Sequence, residues 1–316
     1  MIYFLKLWIN EKEYTEKERR NVGIEEFENK IICGDNIEVM DRMPAECIDM
    51  SCQSPPYSSL RDYHGYTFDF EKVAQQLWRV TKPGGVVVWN EADQTVDGAK
   101  TGESYRHVLY FMSLGFQLYQ TLYYVKTGTN FVHKTRYTEN VENMFILSKG
   151  RPKTVNIIRD VPRLWQGSWA KTRNRQKDGS LKDSTSKNCG AGRTGRAVGD
   201  EYGYKGRSVL WTICNGHGFA HTDELVKGHS AAFPEALPRD HIRSWTNPGD
   251  LILDCCNGSG TTTKMAKWLG RRFIGIDCSA EYCAIAEARL RLVEGKVWHE
   301  EETKTTEDSV QADTAD

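Results

Sequence analysis

No apolar run in the 316-residue chain approaches the roughly 20 residues a membrane span needs, and the opening MIYFLKLWIN lacks both a basic leader and a small-residue cleavage site. The expectation is a soluble, cytoplasmic protein with no membrane partner. No segment repeats, which argues against a solenoid. Nine cysteines are present, yet no CxxC pair and no Cys/His cluster at zinc spacing occurs. They read as reduced thiols, mostly core, and no metal is expected. A Walker lysine is missing, and no GxGxxG is complete.

Net charge is also nearly absent, at -1, but the average conceals a division. Between Arg151 and Arg207 there are fourteen Lys or Arg against five Asp or Glu, whereas Glu294 to Asp316 carries eight acids and two lysines. The acidic end, with no apolar periodicity, reads as a solvated tail.

Short apolar runs alternate with helical patterns. KIICGD (30–35), CIDMSCQ (47–53), VVVW (86–89), FQLYQTLYYV (116–125), VENMFILS (141–148), DLILDCC (250–256) and RFIGID (272–277) have strand length. Between them, helices are expected over NIEVMDRMP (36–44), from Asp69 to a stop at KPGG (82–85), from about Ser104 to Gly115, over FPEALPRDHIRSW (233–245), over TTTKMAKWLG (261–270) and from Ala280 to Gly295. This alternation predicts an α/β sheet. From about Gly150 the texture turns Gly-, Arg- and Lys-rich, with isolated Trp165, Trp169, Tyr202, Tyr204 and Trp211, and reads as an insert that does not continue the sheet.

In open α/β sheets ligands bind past the carboxyl ends of the strands. One such ending is LDCCNGSGTTT, where Gly258-Ser259-Gly260 lets backbone approach a ligand closely before a helix N-terminus. Taken alone it is also an ordinary turn between strand and helix. The next strand ends in Asp277, at the distance where an acid accepts from ribose hydroxyls. The pair points to a nucleoside-bearing cofactor. Thr261, Thr262 and Thr263 follow the second glycine, so the nicotinamide fingerprint is incomplete, and a cofactor without pyrophosphate, S-adenosylmethionine, fits better than NAD or ATP.

The stretch CQSPPYSSLRDY (52–63) ends another strand with two prolines. Proline has no N–H and holds the preceding residue extended, so Ser54-Pro55-Pro56 stops the ladder in a rigid shape. A plain Pro-Pro turn is the bland reading. The sharper one is that the Pro55 carbonyl and the Ser54 hydroxyl present two adjacent acceptors, matched to the two hydrogens of an exocyclic base amine. Tyr57 would add a face on which a flipped base stacks.

Taken together, SPPY after a strand, HSAAFPEALPRDHI (229–242), LDCCNGSGTT (253–262) and FIGIDCSAEYCAIAEARL (273–290) resemble the β-class exocyclic-amino DNA methyltransferases over about residues 30–293. The catalytic motif comes first and the cofactor motif last, the order that defines that class. The resemblance implies a Rossmann-like methyltransferase fold, a mostly parallel, doubly wound sheet with circularly permuted motif order. It implies an N-terminal extension over 1–29, a catalytic half over 30–150, a target-recognition insert over 151–228, a cofactor-binding half over 229–295 and a disordered acidic tail over 296–316.

It further implies that Ser54, Pro55, Pro56 and Tyr57 are catalytic. S-adenosyl-L-methionine would be held by Asp35, near its adenine, and Asp277, on its ribose. Asp254, Cys256, Gly258, Ser259, Gly260, Thr261 and Thr262 would line its methionine, with Phe233 and Pro234 packed over it. Double-stranded DNA is the implied partner, with Arg61, Lys171, Arg173, Arg175, Arg193, Arg196, Lys205 and Arg207 as candidate contacts. Ser at the first position of the motif goes with cytosine N4 in this family, and Asp or Asn with adenine N6. The family usually has Pro and Phe where Cys255 and Cys256 stand, which implies weaker packing on the cofactor, so a binding-only protein is the third reading beside the cytosine-N4 and adenine-N6 enzymes. Cys52 faintly resembles the nucleophile of the cytosine-C5 enzymes, but Ser51 replaces the proline they require, and Cys52 is expected in the core. Asn90, Glu91 and Asp93 follow the VVVW strand and read either as pocket rim or as ordinary loop polarity. No feature specifies a partner restriction endonuclease or an oligomeric state.

Overall fold

The computed structural model describes residues 22–56, 68–127, 134–162, 173–183, 204–215, 220–228, 233–296 and 298. It divides into two compact units, one of Met1–Asn156 and Val209–Asp316, the other of Ile157–Ser208.

The first unit is built on a sheet of eight strands. These are β1 (Lys30–Cys33), β2 (Ile48–Gln53), β3 (Thr81–Glu91), β6 (Gln117–Lys126), β7 (Val141–Ser148), β12 (Leu210–Ile213), β13 (Leu251–Asp254) and β14 (Arg272–Asp277), with β4 (Thr95–Val96) and β5 (Ala99–Lys100) forming a small separate hairpin. The order is β1-β14-β13-β2-β3-β7-β6-β12. From β1 to β3 every pair is parallel; β7 runs antiparallel to both β3 and β6, and β12 pairs parallel with β6.

Helices cover both faces. Leu77 of α2 (Phe70–Val80) and Phe111 of α3 (Glu103–Leu114) join Met40 of α1 (Asn36–Arg42), Val87, Trp89, Leu253 and Ile274 in one core. Ile242 of α4 (Ala236–Trp245), Met265 of α5 (Thr261–Trp268) and Leu290 of α6 (Ala280–Leu292) join Met50, Val88, Ile252 and Phe273 in the other. Burial on both sides explains why VVVW of β3 and LIL of β13 read as unbroken apolar runs rather than alternating ones. Each fully buried Leu or Ile contributes about 1.5–3 kcal/mol.

Local chemistry sets the boundaries. Asp35 caps α1 by accepting from the Ile37 and Glu38 N–H groups at 2.9 and 3.0 Å. Asp69 caps α2, and Ser279 caps α6 by accepting from the Tyr282 N–H at 3.3 Å. Gly115, at φ 115°, ends α3 in the left-handed region.

Four expectations change. KPGG does not end α2: the helix stops at Val80, Thr81 is already extended, and the four residues lie in β3, with a register irregularity opposite Ile48 and Met50. The segment after Gly150 is not wholly outside the sheet, because Leu210–Ile213 pairs with Tyr123–Lys126. The second compact unit is therefore shorter than the 151–228 insert. It holds β8 (Arg159–Pro162) antiparallel to β11 (Tyr204–Gly206), and β9 (Arg173–Arg175) antiparallel to β10 (Leu181–Asp183). At the C-terminal end, the expected tail begins too early. The Lys296 N–H donates to the Val293 carbonyl, the Trp298 N–H donates to that of Trp268, and the Arg243 guanidinium lies 4.6 Å from the Trp298 ring centroid, so folded chain reaches Trp298. Finally, only Cys52, Cys255 and Cys283 of the eight described cysteines are buried, all eight being free thiols. Among the described residues no helix is long and apolar enough to cross a membrane, and no His/Cys/Asp/Glu group could hold a metal ion.

Candidate active site

Because β1, β14, β13 and β2 are parallel neighbours, their carboxyl ends fall side by side. That places Asp35, Asp277, the Asp254–Gly260 loop and Ser54 along one rim of the sheet. Direct bonds join these endings. The Gly34 N–H donates to the Asp277 carbonyl at 2.9 Å, Asn36 Nδ2 to the Cys255 carbonyl at 3.0 Å, and Thr262 Oγ1 to the Cys52 carbonyl at 3.2 Å. Two stretches some 200 residues apart in sequence thus form one site.

The loop after β13 is braced from within. The Cys256 N–H donates to Asp254 Oδ1 at 3.0 Å, the Asn257 N–H to the Ile276 carbonyl at 3.0 Å, the Gly258 N–H to Asp277 Oδ2 at 2.7 Å and the Gly260 N–H to the Asn257 carbonyl at 2.8 Å. Gly258 and Gly260 have φ of 50° and 78°. A Cβ on Gly260 would lie 2.6 Å from that of Ala286, so glycine is required both by conformation and by space. All four donors lie in the loop up to the Gly260 cap, ahead of the first turn of α5.

Two acids define the polarity. Asp277 Oδ1 accepts from the Ser279 N–H at 2.9 Å and Oδ2 from Gly258, leaving acceptor capacity on both oxygens. Burial pushes its carboxyl up, against the lowering effect of those two N–H groups. Asp254 is 1% exposed, and its Oδ2 has no partner among the described residues. Burial pushes its carboxyl up to about 7, opposed by the nearby Thr262 hydroxyl, whose own proton goes to the Cys52 carbonyl, and by the Cys256 N–H, and assisted by the Asp277 charge.

At the end of β2, Ser54 and Pro56 are half-buried and Pro55 is buried. Tyr57 lies outside the described residues, as do Arg61, Lys171, Arg193 and Arg196. Phe233 is half-buried against the second core and Pro234 is buried. Cys256 is half-buried. Ser259, Thr261 and Thr262 are buried, with the Thr261 and Thr262 hydroxyls bonded inside the protein. Arg173 and Arg175 lie on β9, Lys205 is exposed, and the Arg207 guanidinium is engaged by Asp160, with Nε 3.0 Å from Oδ2. Cys52 is core, as expected. The supposed rim residues are structural. Glu91, 2% exposed, accepts from Trp89 Nε1 at 3.0 Å and lies 2.8 Å from His107 Nδ1, Asp93 accepts from the Ser104 N–H and hydroxyl, and Asn90 Nδ2 donates to Glu142.

Sequence reasoning missed two features. One is Gln53, fully buried at the last position of β2, whose amide nitrogen and oxygen both lack partners among the described residues. The other is a cluster of four charges, the buried Glu235, Lys264 and Arg289 with the half-buried Asp223. Its signal was present in Lys264 and Arg289, cations at positions of α5 and α6 whose neighbours Met265 and Leu290 face the core.

A family model for DNA methylases of the N6/N4 type matches residues 48–288. The orphan methyltransferase M.BamHII of Bacillus amyloliquefaciens is 44% identical over 246 residues, covering 77% of this chain and 89% of its own. The type II methyltransferase M.SmaI of Serratia marcescens is 24% identical, covering 83% of this chain and 90% of its own. Among solved structures, the PvuII DNA methyltransferase (cytosine-N4-specific) superposes with a TM-score of 0.57 at 20% identity, covering 82% of this chain and 85% of that one. M1.HpyAVI in complex with SAM gives 0.51 at 19% identity, covering 83% and 98%.

Proposed function

Since the chain belongs to the N6/N4 DNA methylase family, we propose that it is a β-class, motif-permuted enzyme that methylates the N4 amine of cytosine within a specific DNA site. Its methyl donor is S-adenosylmethionine and its substrate is double-stranded DNA. The observation that carries the base assignment is Ser54 at the end of β2, beside the loop strand β13. The neighbouring PvuII enzyme, which is cytosine-N4-specific, supports it.

The residues suit the cofactor. Asp277 keeps acceptor capacity for two ribose hydroxyls, and the orphaned Asp254 Oδ2 suits the cofactor's ammonium group. Cys256 offers a thiol in place of a ring, so packing on the cofactor is thinner than an aromatic would give. When bound, S-adenosylmethionine supplies a sulfonium methyl to a neutral amine by direct displacement, and no covalent enzyme intermediate is needed. The chain's part is positioning. The Ser54 hydroxyl and the Pro55 carbonyl accept the two amine hydrogens, hold the nitrogen lone pair towards the methyl and stabilise the positive charge that develops there. Water takes the proton afterwards. Tyr57 stacks on the flipped base, and the basic segment containing Lys171, Arg173, Arg175, Arg193, Arg196 and Lys205 supplies phosphate and base contacts.

Ser54→Ala removes one acceptor of a desolvated amine, a loss of about 1–3 kcal/mol, or roughly 5- to 150-fold in methyl-transfer rate. The cofactor dissociation constant should stay at the wild-type value, since the cofactor rests on the other motifs. Full transfer activity in the variant would remove Ser54 from the mechanism.

A further inference from the structure

Lys264 and Arg289 are 1% and 0% exposed, and both are bound by the same two carboxylates. Lys264 Nζ donates to Glu235 Oε1 at 2.6 Å, Asp223 Oδ2 at 2.7 Å and Thr222 Oγ1 at 2.7 Å. Arg289 Nη2 donates to Glu235 Oε1 at 2.8 Å and Nε to Asp223 Oδ2 at 3.0 Å. Thr222 also bonds Glu235 Oε2 through its N–H and its hydroxyl, at 3.2 and 2.9 Å. Two cations and two anions balance, so the charge is accounted for within the cluster.

A buried ion network adds little net stability over well-packed apolar residues, because desolvation offsets the attraction. What distinguishes Arg289 from Lys264 is where its remaining donor points. Nη1 donates to the Ser259 carbonyl at 2.9 Å and to Thr261 Oγ1 at 3.0 Å, in the cofactor loop and the first residue of α5. The 259–260 peptide is therefore held at both ends, its carbonyl by Arg289 and its N–H by the Asn257 carbonyl. Lys264 spends all three hydrogens of its ammonium on Thr222, Asp223 and Glu235 and donates none to the loop.

We propose that Arg289 is a positioning residue for S-adenosylmethionine. Touching no ligand, it clamps the Ser259–Gly260 peptide and ties it to Asp223 and Glu235, so that cofactor affinity depends on a guanidinium behind the loop. The fork geometry is essential. A lysine at 289 retains the charge but cannot reach both carboxylates and the loop carbonyl at once. The inference rests on the loop being the cofactor site.

The test compares two variants that damage the same cluster. Arg289→Lys and Lys264→Met should both lower the melting temperature, but only Arg289→Lys should weaken S-adenosylmethionine binding, by roughly tenfold in calorimetry well below its melting temperature. The KM for cofactor should rise in parallel, while the KM for DNA stays unchanged. Asp223→Asn loosens the hold on Arg289 Nε at a residue outside those expected to line the cofactor. It should raise the cofactor dissociation constant by roughly two- to fivefold, and it decides the matter if Arg289→Lys does not fold. If wild type binds the cofactor and the two cluster variants bind it equally well or equally badly, Arg289 is structural only and the proposal fails. If wild type shows no cofactor binding, the loop is not the site and the reading beneath the proposal fails with it.

Discussion

A buried amide with no partner carries a penalty of about 1–3 kcal/mol, and Gln53 presents both of its polar atoms in that state. Gln53→Met, close in volume and apolar, should therefore stabilise the protein by about 1–2 kcal/mol. Thermal unfolding measures this directly; a lower melting temperature would mean that the amide is satisfied in solution. Asp254 gives a second residue-scale prediction, in pH. Its folded value of about 7 lies above its ordinary 3.8. Its contribution to folding is thus fully present below about 4 and lost as pH rises through about 7, since the buried acid resists ionising. Cofactor binding should run the other way, because only the carboxylate pairs with an ammonium. Affinity for S-adenosylmethionine should rise between pH 6 and 8, with a limiting slope of roughly tenfold per unit below about 7. Asp254→Asn should flatten the profile, and a profile that keeps its slope in that variant assigns the titration elsewhere.

At the scale of elements, β13, its loop and α5 act as one piece pressed against α6. Gly260→Ala would bring a methyl to 2.6 Å from Ala286 Cβ at a φ of 78°. About 1–2 kcal/mol for the left-handed residue adds to about 1–3 for overpacking. Both the melting temperature and cofactor affinity should fall, as unfolding and calorimetry would show. This piece was legible in the sequence because its signals are local: an apolar run, small residues at a turn, then an acid ending the next strand. The same holds for Asp69, where the second helix is expected to begin. What was not legible depends on partners distant in the chain. KPGG carries the proline that usually follows a helix, but pairing of Thr81 with Ile48 draws it into β3. Leu210–Ile213 is only four residues long, and its membership of the sheet is decided by Tyr123–Lys126. The clue was the spacing of Trp211 and Ile213, the two buried residues of an edge strand. The Asp223–Glu235–Lys264–Arg289 cluster comes from four separate segments, and no local pattern joins them.

Across the whole molecule, β2, which leads into Ser54, and β13, which leads into the Asp254–Gly260 loop, come from opposite halves of the chain and lie adjacent in the sheet. The intervening unit, Ile157–Ser208, holds twelve Lys or Arg and five Asp or Glu in a chain whose net charge is -1. Chemistry and charge are thus assigned to different parts of the protein, as a DNA-modifying enzyme requires. Those assignments converge on a single product. The most direct measurement is to incubate the wild-type protein with DNA and S-adenosylmethionine labelled in its methyl group, digest the DNA to nucleosides and identify the labelled one by mass and retention. The account predicts N4-methylcytosine. N6-methyladenine would contradict the assignment drawn from Ser54, and DNA without any labelled nucleoside would contradict the proposed activity.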